Sequence, residues 1–339
     1  MPGESTGKGK RKEDAIIERI LKDSGDPGLV DRLVRRLSPS DLQSLLLRVY
    51  KERVASLRPA DVLRQYAGNR FVRPPNAAPL DSARLDELAF SLLPPGFEVV
   101  ELSPLSPLGT SSALGPVDQD KVVTTIRNTE VLSDPTNAMA LECALRRAGS
   151  PRRSAAEVRL ACSQRLVRAQ AFSGPASFAH FRMLALCTAG RDSGSLGFEL
   201  AATLEHIGFY LRLFEALGDA GYAIGPLRLR ILPFSAPLAE LARGKLGESL
   251  AERHPGLRVE IDELSDEKRD YYSGLRFQLF ATDAEGEEQF IVDGGATDWT
   301  QRLLADRKER FMTSGMGSER FLVCFRRRGA ARKDQAWTR

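Results

Sequence analysis

The sequence of 339 residues predicts an α+β fold, a largely antiparallel sheet flanked by helices and preceded by a small helical module. Three observations carry that reading. Residues 13–67 repeat apolar positions at a helical period. From about residue 80 onward, helical and strand patterns alternate irregularly, and consecutive strands are joined by hairpin-sized connections, which makes neighbours antiparallel. Hydrophobic residues make up 42% and charged residues 28%, which is enough apolar material for a packed core and argues against wholesale disorder.

Each element has a local cause. Residues 1–12 read as a basic, disordered tail. Glu13 to Lys22 sets Ile16, Ile17, Ile20 and Leu21 on one helical period, Asp26-Pro27-Gly28 breaks it, and Leu29 to Leu37 resumes it. Ser38 is placed to cap a helix, Pro39 suits the first helical position and Asp41 complements the dipole. Leu42, Leu45, Leu46 and Val49 then form one stripe, and Arg58-Pro59-Ala60-Asp61 opens another helix. Two such starts do not make a repeat array. Residues 68–79, with Pro74-Pro75, read as a linker able to lay an extended arm against the next domain, which spans 80–327. There, Asp81 to Leu93 is an amphipathic helix stopped by Pro94-Pro95-Gly96, and Phe97 to Leu102 is a strand. Lys121 to Ile126 and Glu130 to Leu132 flank a hairpin turn. Asp134 caps the helix Pro135 to Arg147, and Leu196 to Leu217 is a long helix. Glu157 to Gln170, Phe178 to Thr188, Leu227 to Leu232, Leu257 to Ile261, Tyr271 to Ala281 and Gln289 to Val292 are strands. Residues 328–339 form a second basic tail.

Composition excludes several classes. No apolar run approaches the roughly 20 residues a membrane-spanning helix needs, and Met1 to Lys12 lacks the apolar region of a secretory signal. The four cysteines are far apart and never form C-x-x-C, which argues against a zinc knuckle or disulfide scaffold and fits a reducing cytoplasm. The net charge of +4 comes from the ends: residues 1–12 carry +3 and 326–339 carry +5, leaving −4 on 13–325. The tails read as solvated termini, with nucleic-acid phosphates as the weaker alternative. There is no G-x-S-x-G, no G-x-x-x-x-G-K-[ST] and no G-x-G-x-x-G after a strand. With only three histidines, a metal site of clustered His and Cys is not expected, and His206, in a long helix, reads as structural.

Three segments stand out. Gln164 to Gln170 puts Arg168 at a strand end beside a Gly-Pro loop, where a guanidinium can fork onto a phosphate. Asp270 to Gln278 is a strand led by Tyr271 and Tyr272. Gly315-Met316-Gly317-Ser318-Glu319-Arg320 joins glycines that permit close approach to an arginine on a helix. Singly these read as a strand end, an aromatic strand start and a strand-to-helix turn with an ion pair.

As an ordered set they resemble the catalytic core of class II aminoacyl-tRNA synthetases, most closely the histidyl branch, over residues 80–327. Asp81 to Leu93 and the following strand resemble motif 1, Val167-Arg168-Ala169-Gln170 the Phe-Arg-x-Glu of motif 2, and Gly315 to Arg320 motif 3. Asp134-Pro135-Thr136 resembles the substrate loop, Asp270 to Phe277 the Asp-Tyr-Tyr strand, and Asp293-Gly294-Gly295 the Gly-Gly turn. Glu199 stands where the family has an acid opening a long helix. The resemblance implies an antiparallel sheet of six or more strands, a homodimer, and bent ATP with Mg2+. It implies Arg168 on the α-phosphate and Arg320 on the γ-phosphate, with Gln170, Gly315, Gly317 and Glu319 completing the ATP site. It implies an amino-acid or other small carboxylate substrate against Asp134, Thr136, Met183, Tyr271, Tyr272, Gly294 and Gly295. The sequence also departs from the pattern. Glu267 replaces a catalytic arginine, Gln170 an acid, and Met183 the glutamine that holds histidine; no anticodon-binding domain follows motif 3. Histidine activation and ordinary tRNA charging are therefore not expected. Two functions lead, ahead of a weaker third, a nucleic-acid-associated accessory protein using the basic tails. One is an adenylating enzyme with a non-tRNA acceptor, for which residues 13–67 would dock a partner. The other is a non-catalytic paralogue resembling the regulatory subunit of ATP phosphoribosyltransferase.

Overall fold

The computed structural model describes residues 6–75, 77–151, 154–169, 178–264, 271–325 and 327. The chain divides into two units, Met1–Ala67 with Ile126–Asn128, and Gly68–Thr125 with Thr129–Arg339.

The first unit is helical. It contains α1 (Thr6–Ser24), α2 (Leu29–Asp31) continuing into a wider-wound turn at Arg32–Arg36, α3 (Pro39–Val54) and most of α4 (Pro59–Gly68). Ser38 caps α3 as its position predicts, its Oγ accepting from the Asp41 backbone N at 3.1 Å. α1 starts at Thr6, within the stretch expected as a basic tail. Lys8, Lys10, Arg11 and Lys12 are good helix formers, and they extend a helix nucleated by the apolar period that follows.

The second unit is built on one sheet. Its helices are α5 (Pro79–Ser91), α6 (Thr110–Leu114), α7 (Pro135–Gly149), α8 (Gly197–Asp219), α9 (Ala236–Leu241), α10 (Gly247–Arg253), α11 (Trp299–Leu304) and α12 (Ser318–Cys324). Its strands are β1 (Phe97–Val99), β2 (Leu105–Pro107), β3 (Thr129–Val131), β4 (Val158–Val167), β5 (His180–Arg191), β6 (Leu227–Pro233), β7 (Arg258–Ile261), β8 (Leu275–Thr282), β9 (Glu288–Thr297) and β10 (Glu309–Met316). Among the described residues, eight strands form the sheet in the order β1-β4-β5-β10-β9-β8-β6-β7, while β2 and β3 pair separately. The inner six are antiparallel as expected; the edge strands β1 and β7 each pair parallel.

Alternation along the strands divides the side chains between two cores. Leu184 and Leu186 of β5 join Phe209, Leu213, Phe214 and Leu217 of α8 and Phe321 of α12. Ala185 and Cys187 face the other way, joining Met139 and Cys143 of α7 and Trp299 of α11. The cysteines are free, and burial pushes the thiols of Cys143 and Cys162 up to about 12, so they behave as apolar filler. His206 is buried between Thr188 Oγ1 (3.0 Å) and Ser314 Oγ (2.8 Å), and burial with the Arg159 charge pushes it down to about 3; it is a neutral brace between α8 and β10. No helix among the described residues is long and apolar enough to cross a membrane.

Three local expectations are corrected. The strand from Phe97 ends at Val99. The strand expected from Tyr271 begins at Leu275, because both tyrosines bend inward to pack: their rings lie 4.8 Å apart, and Tyr271 stands 5.0 Å from Trp299. The hairpin before Glu130 is short, with one bridge at Thr124 to Glu130 flanked by the Thr125 N–Thr129 O and Val131 N–Val123 O bonds, and β3 pairs with β2 on its other side. The reason is Glu130 itself. Its buried carboxylate accepts from Gly109 N (2.8 Å), Ser111 N (2.9 Å), Ser111 Oγ (2.8 Å) and Gln119 Nε2 (3.1 Å), drawing that loop over β3. Burial opposes its ionisation, but these bonds outweigh it and hold the carboxyl below its ordinary value.

A carboxyl depressed in the folded state contributes stability above its unfolded pKa and loses it as pH falls through the folded value. Glu130→Gln turns an amide NH2 toward backbone donors and is expected to cost about 3 kcal/mol at neutral pH. Urea unfolding as a function of pH checks this: the wild-type advantage over the variant should vanish on acidification.

Candidate functional site

One face of the inner sheet is only partly covered by α7 and α11. Beside them opens a cavity of about 440 Å³ lined by, among others, Asp134, Thr136, Arg168, Met183, Tyr271, Tyr272, Gly315, Gly317 and Arg320. Its size falls in the small-molecule range.

Its floor depends on missing side chains. Across β8, β9 and β10, Asp293 lies opposite Gln278 on one side and Gly315 on the other, while Gly295 lies opposite Arg276 and Thr313. A Cβ on Gly315 would run into the Met183 methyl, so the thioether lies flat over that strand. A Cβ on Gly295 would stand 2.5 Å from the Leu275 carbonyl oxygen and 2.7 Å from Tyr272 Cδ1, and one on Gly294 would collide with the Phe277 ring. Gly294 and Gly295, expected against the substrate, therefore do not line the cavity; they let two aromatic rings pack on the strand.

The polar wall starts at the N-terminus of α7. Asp134 Oδ1 accepts from Thr136 N (3.0 Å) and Thr136 Oγ1 (2.7 Å), and Oδ2 accepts from Tyr271 OH (3.0 Å). The tyrosine and threonine hydroxyls are 2.9 Å apart. Burial, then the Asp134 charge, pushes the Tyr271 phenol well above its ordinary value, so it stays a donor. Arg168 Nε donates to the Ser133 carbonyl at 3.1 Å, its Nη2 lies 3.9 Å from Asp134 Oδ2, and the guanidinium sits 5.1 Å from the Phe181 ring centre. Across the cavity, Arg320 makes no ion pair among the described residues, and its Nε is buried without a hydrogen-bond partner.

Arg276 is not singled out by the sequence, and Asp293 reads there only as part of a Gly-Gly turn. Arg276 holds Asp293 through Nε to Oδ1 at 2.9 Å and Nη2 to Oδ2 at 3.0 Å, and both line the cavity. Burial raises the Asp293 carboxyl despite these bonds. The available signal was parity: Arg276 and Gln278 interrupt an apolar strand on one face. Phe234 and Phe290, which supply apolar wall, carried no signal because they arrive from separate elements.

Other expected residues lie elsewhere. Glu319 is fully buried behind the cavity, its Oε2 accepting from Arg165 Nη1 (3.1 Å) and Arg182 N (2.9 Å). Glu199 is bound by Arg310 Nε at 3.0 Å. Gln170 and Glu267 lie outside the described residues.

The sheet order, the cavity on its open face and the arginines at two of its walls can be set beside known structures. The chain aligns with an ATP phosphoribosyltransferase regulatory subunit/histidyl-tRNA synthetase from Bacillus halodurans at 13% identity and TM-score 0.50, over 74% of this chain and 81% of that one. It aligns with the apo histidyl-tRNA synthetase of S. aureus at 12% identity and TM-score 0.52, over 72% of this chain. This is a class II aminoacyl-tRNA synthetase-like fold. A third alignment, with the RNA-binding domain of threonyl-tRNA synthetase from Cryptosporidium parvum, has 12% identity and TM-score 0.50, again over 72% of this chain. The class II-like region spans 64% and 62% of the lengths of those two synthetase chains. No family model matches the sequence, and no curated protein does. At these identities the likeness is one of fold.

Within that fold, Gly295→Ala is expected to cost about 2 kcal/mol or more, because the methyl meets a backbone carbonyl that cannot swing aside. A thermal melt of the variant checks it; an unchanged midpoint would remove close packing as the reason for glycine there.

Proposed function

We propose that the cavity binds ATP and an amino acid or other small carboxylate and joins them as an acyl-adenylate. The observation that carries this reading is the state of the arginines. Arg147, Arg228, Arg230 and Arg276 are each locked into carboxylates by short paired bonds. Arg168 and Arg320 line this cavity without such a lock. Guanidinium groups held in a partly dry site without a carboxylate fork suit an anionic ligand.

The chemistry follows from that placement. A carboxylate oxygen of the substrate forms a bond to the α-phosphorus, the bond from α-phosphorus to the bridging oxygen breaks, and pyrophosphate leaves. Arg168 faces the charge that builds on the α-phosphate, and Arg320 the γ-phosphate end; both act without reorganising. Asp134, held by Thr136 and Tyr271, offers an anionic wall for an amino group. Among the described residues no three His, Cys, Asp or Glu side chains are grouped to hold a metal, and Asp134 and Asp293 are both engaged. These residues do not fit a resident magnesium site, so Mg2+ would enter as the counter-ion of ATP.

A second reading, a ligand-sensing regulatory paralogue, is favoured by Met183. Its thioether covers Gly315 and offers only a weak acceptor to a polar substrate. Pyrophosphate exchange into ATP, run against a panel of amino acids and small carboxylates, separates the two. Exchange with one compound supports adenylation. ATP binding without exchange across the panel favours the sensor. Calorimetry should show ATP affinity falling on the order of a hundredfold or more in Arg168→Ala and Arg320→Ala with the fold intact; unchanged affinity sinks the site assignment.

We further propose a homodimer through the second unit, with the helices of residues 13–67 as a docking surface for a partner or acyl carrier. Deleting 13–67 should leave exchange intact and abolish transfer to the acceptor. Loss of exchange in the truncated protein would show the module to be part of the first half-reaction instead.

A further inference from the structure

The bonds of the residue next to Arg320 lead away from the cavity. Glu319, its neighbour in the first turn of α12, accepts through Oε2 from Arg165 Nη1 at 3.1 Å and from the Arg182 backbone N at 2.9 Å. Arg165 Nη1 also donates to His180 Nδ1 at 3.0 Å. The other ring nitrogen of His180, Nε2, donates to the Arg73 carbonyl at 2.7 Å. This network assigns the neutral tautomer with its proton on Nε2.

Arg73 lies in the segment that precedes α5. Three residues earlier, Arg70 Nη2 donates to the Ala169 carbonyl at 3.0 Å, the residue directly after Arg168. One short stretch, residues 70–73, is thus bonded at two points. One is the chain neighbour of Arg168. The other runs through His180 and Arg165 to Glu319, the chain neighbour of Arg320.

We infer that His180 is a positioning residue and that residues 70–73 are a strap setting the spacing of the two arginines; the functional part of this rests on the ATP reading above. Glu319 is a fully buried carboxylate whose Oε1 has no partner among the described residues. Arg165 is its counter-charge, and the Arg165 side chain is 35% exposed. A half-exposed arginine samples many rotamers unless something fixes it. His180 supplies that fixing acceptor and is itself fixed by the strap. Without it, Arg165 leaves a buried charge less well compensated, and the first turn of α12 loosens together with Arg320.

The test uses the full-length chain in four forms: wild type, Arg70→Ala, His180→Phe and His180→Gln. His180→Phe removes both bonds, while His180→Gln keeps a side-chain N–H for the Arg73 carbonyl. In calorimetry His180→Phe should bind ATP about tenfold more weakly, as a small misplacement of a gripping group would cause, with Arg70→Ala changed in the same direction and His180→Gln recovering most of the loss. In pyrophosphate exchange, KM for ATP should rise while kcat changes little. Amide hydrogen exchange gives a readout independent of ATP: the Phe321 N–H, bonded to the Gly317 carbonyl, should exchange faster in His180→Phe and Arg70→Ala than in wild type. Wild-type ATP affinity together with wild-type exchange at Phe321 in His180→Phe overturns the strap. If wild type itself binds no ATP, the ligand reading has failed. Exchange at Phe321 then decides the strap alone: faster exchange supports it and unchanged exchange rejects it.

Discussion

A β-sheet can carry a deep site on its face only where side chains are missing from that face. In this chain the low floor is made by glycines at the centre of the two middle strands, Gly315 of β10, opposite Asp293, and Gly295 of β9. Met183 lies flat on the first and Tyr272 settles on the second, while Gly294, on the opposite face, admits the Phe277 ring into the core beneath α8. Everything else at the site hangs on that close approach. Tyr271 reaches Asp134 because Tyr272 can settle on Gly295, and the arginine walls stand apart because the floor between them is low.

Charge is distributed by the same economy of space. The outer strands carry arginines matched to carboxylates: Arg228 with Glu260 and Glu288, and Arg230 with Asp262. Exposed pairs of this kind contribute little stability individually, but they leave no net field on that side. The cavity holds arginines that lack such a match. That contrast, drawn from this chain alone, is what the proposed anion site rests on.

Local features were the most legible in the sequence. Ser38 and Asp134 cap helices from their own neighbourhoods, and Pro39 and Pro135 stand at first helical positions; these need only a few adjacent residues to be read. The antiparallel pairing of the inner strands and the grouping of Asp134, Arg168, Tyr271 and Arg320 around one cavity were expected from an ordered set of motifs that no single segment would have supported. What stayed hidden was set by partners distant in the chain. Glu130 draws its loop in through Gly109 and Ser111; Tyr271 packs on Trp299 and Tyr272 over Gly295, outside the strand; Glu319 is a buried clamp on Arg165. A glycine that binds and a glycine that yields to a ring have the same letter. Only packing separates Gly315, on the cavity wall, from Gly294 behind it.

The sheet also ends in a particular way. Its two outermost strands are β1, three residues long, and β7, four residues long, each paired parallel to a longer neighbour. A strand that short offers only a few outward-facing amides and carbonyls, too few to template the addition of a foreign strand. The parallel pairing further means that neither edge closes through a tight hairpin that could open and exchange. An eight-stranded sheet with a bare patch on its face is in principle a sticky object. Ending it on two stubs protects the chain from growing into a fibre of its own copies during synthesis, when such edges are first exposed.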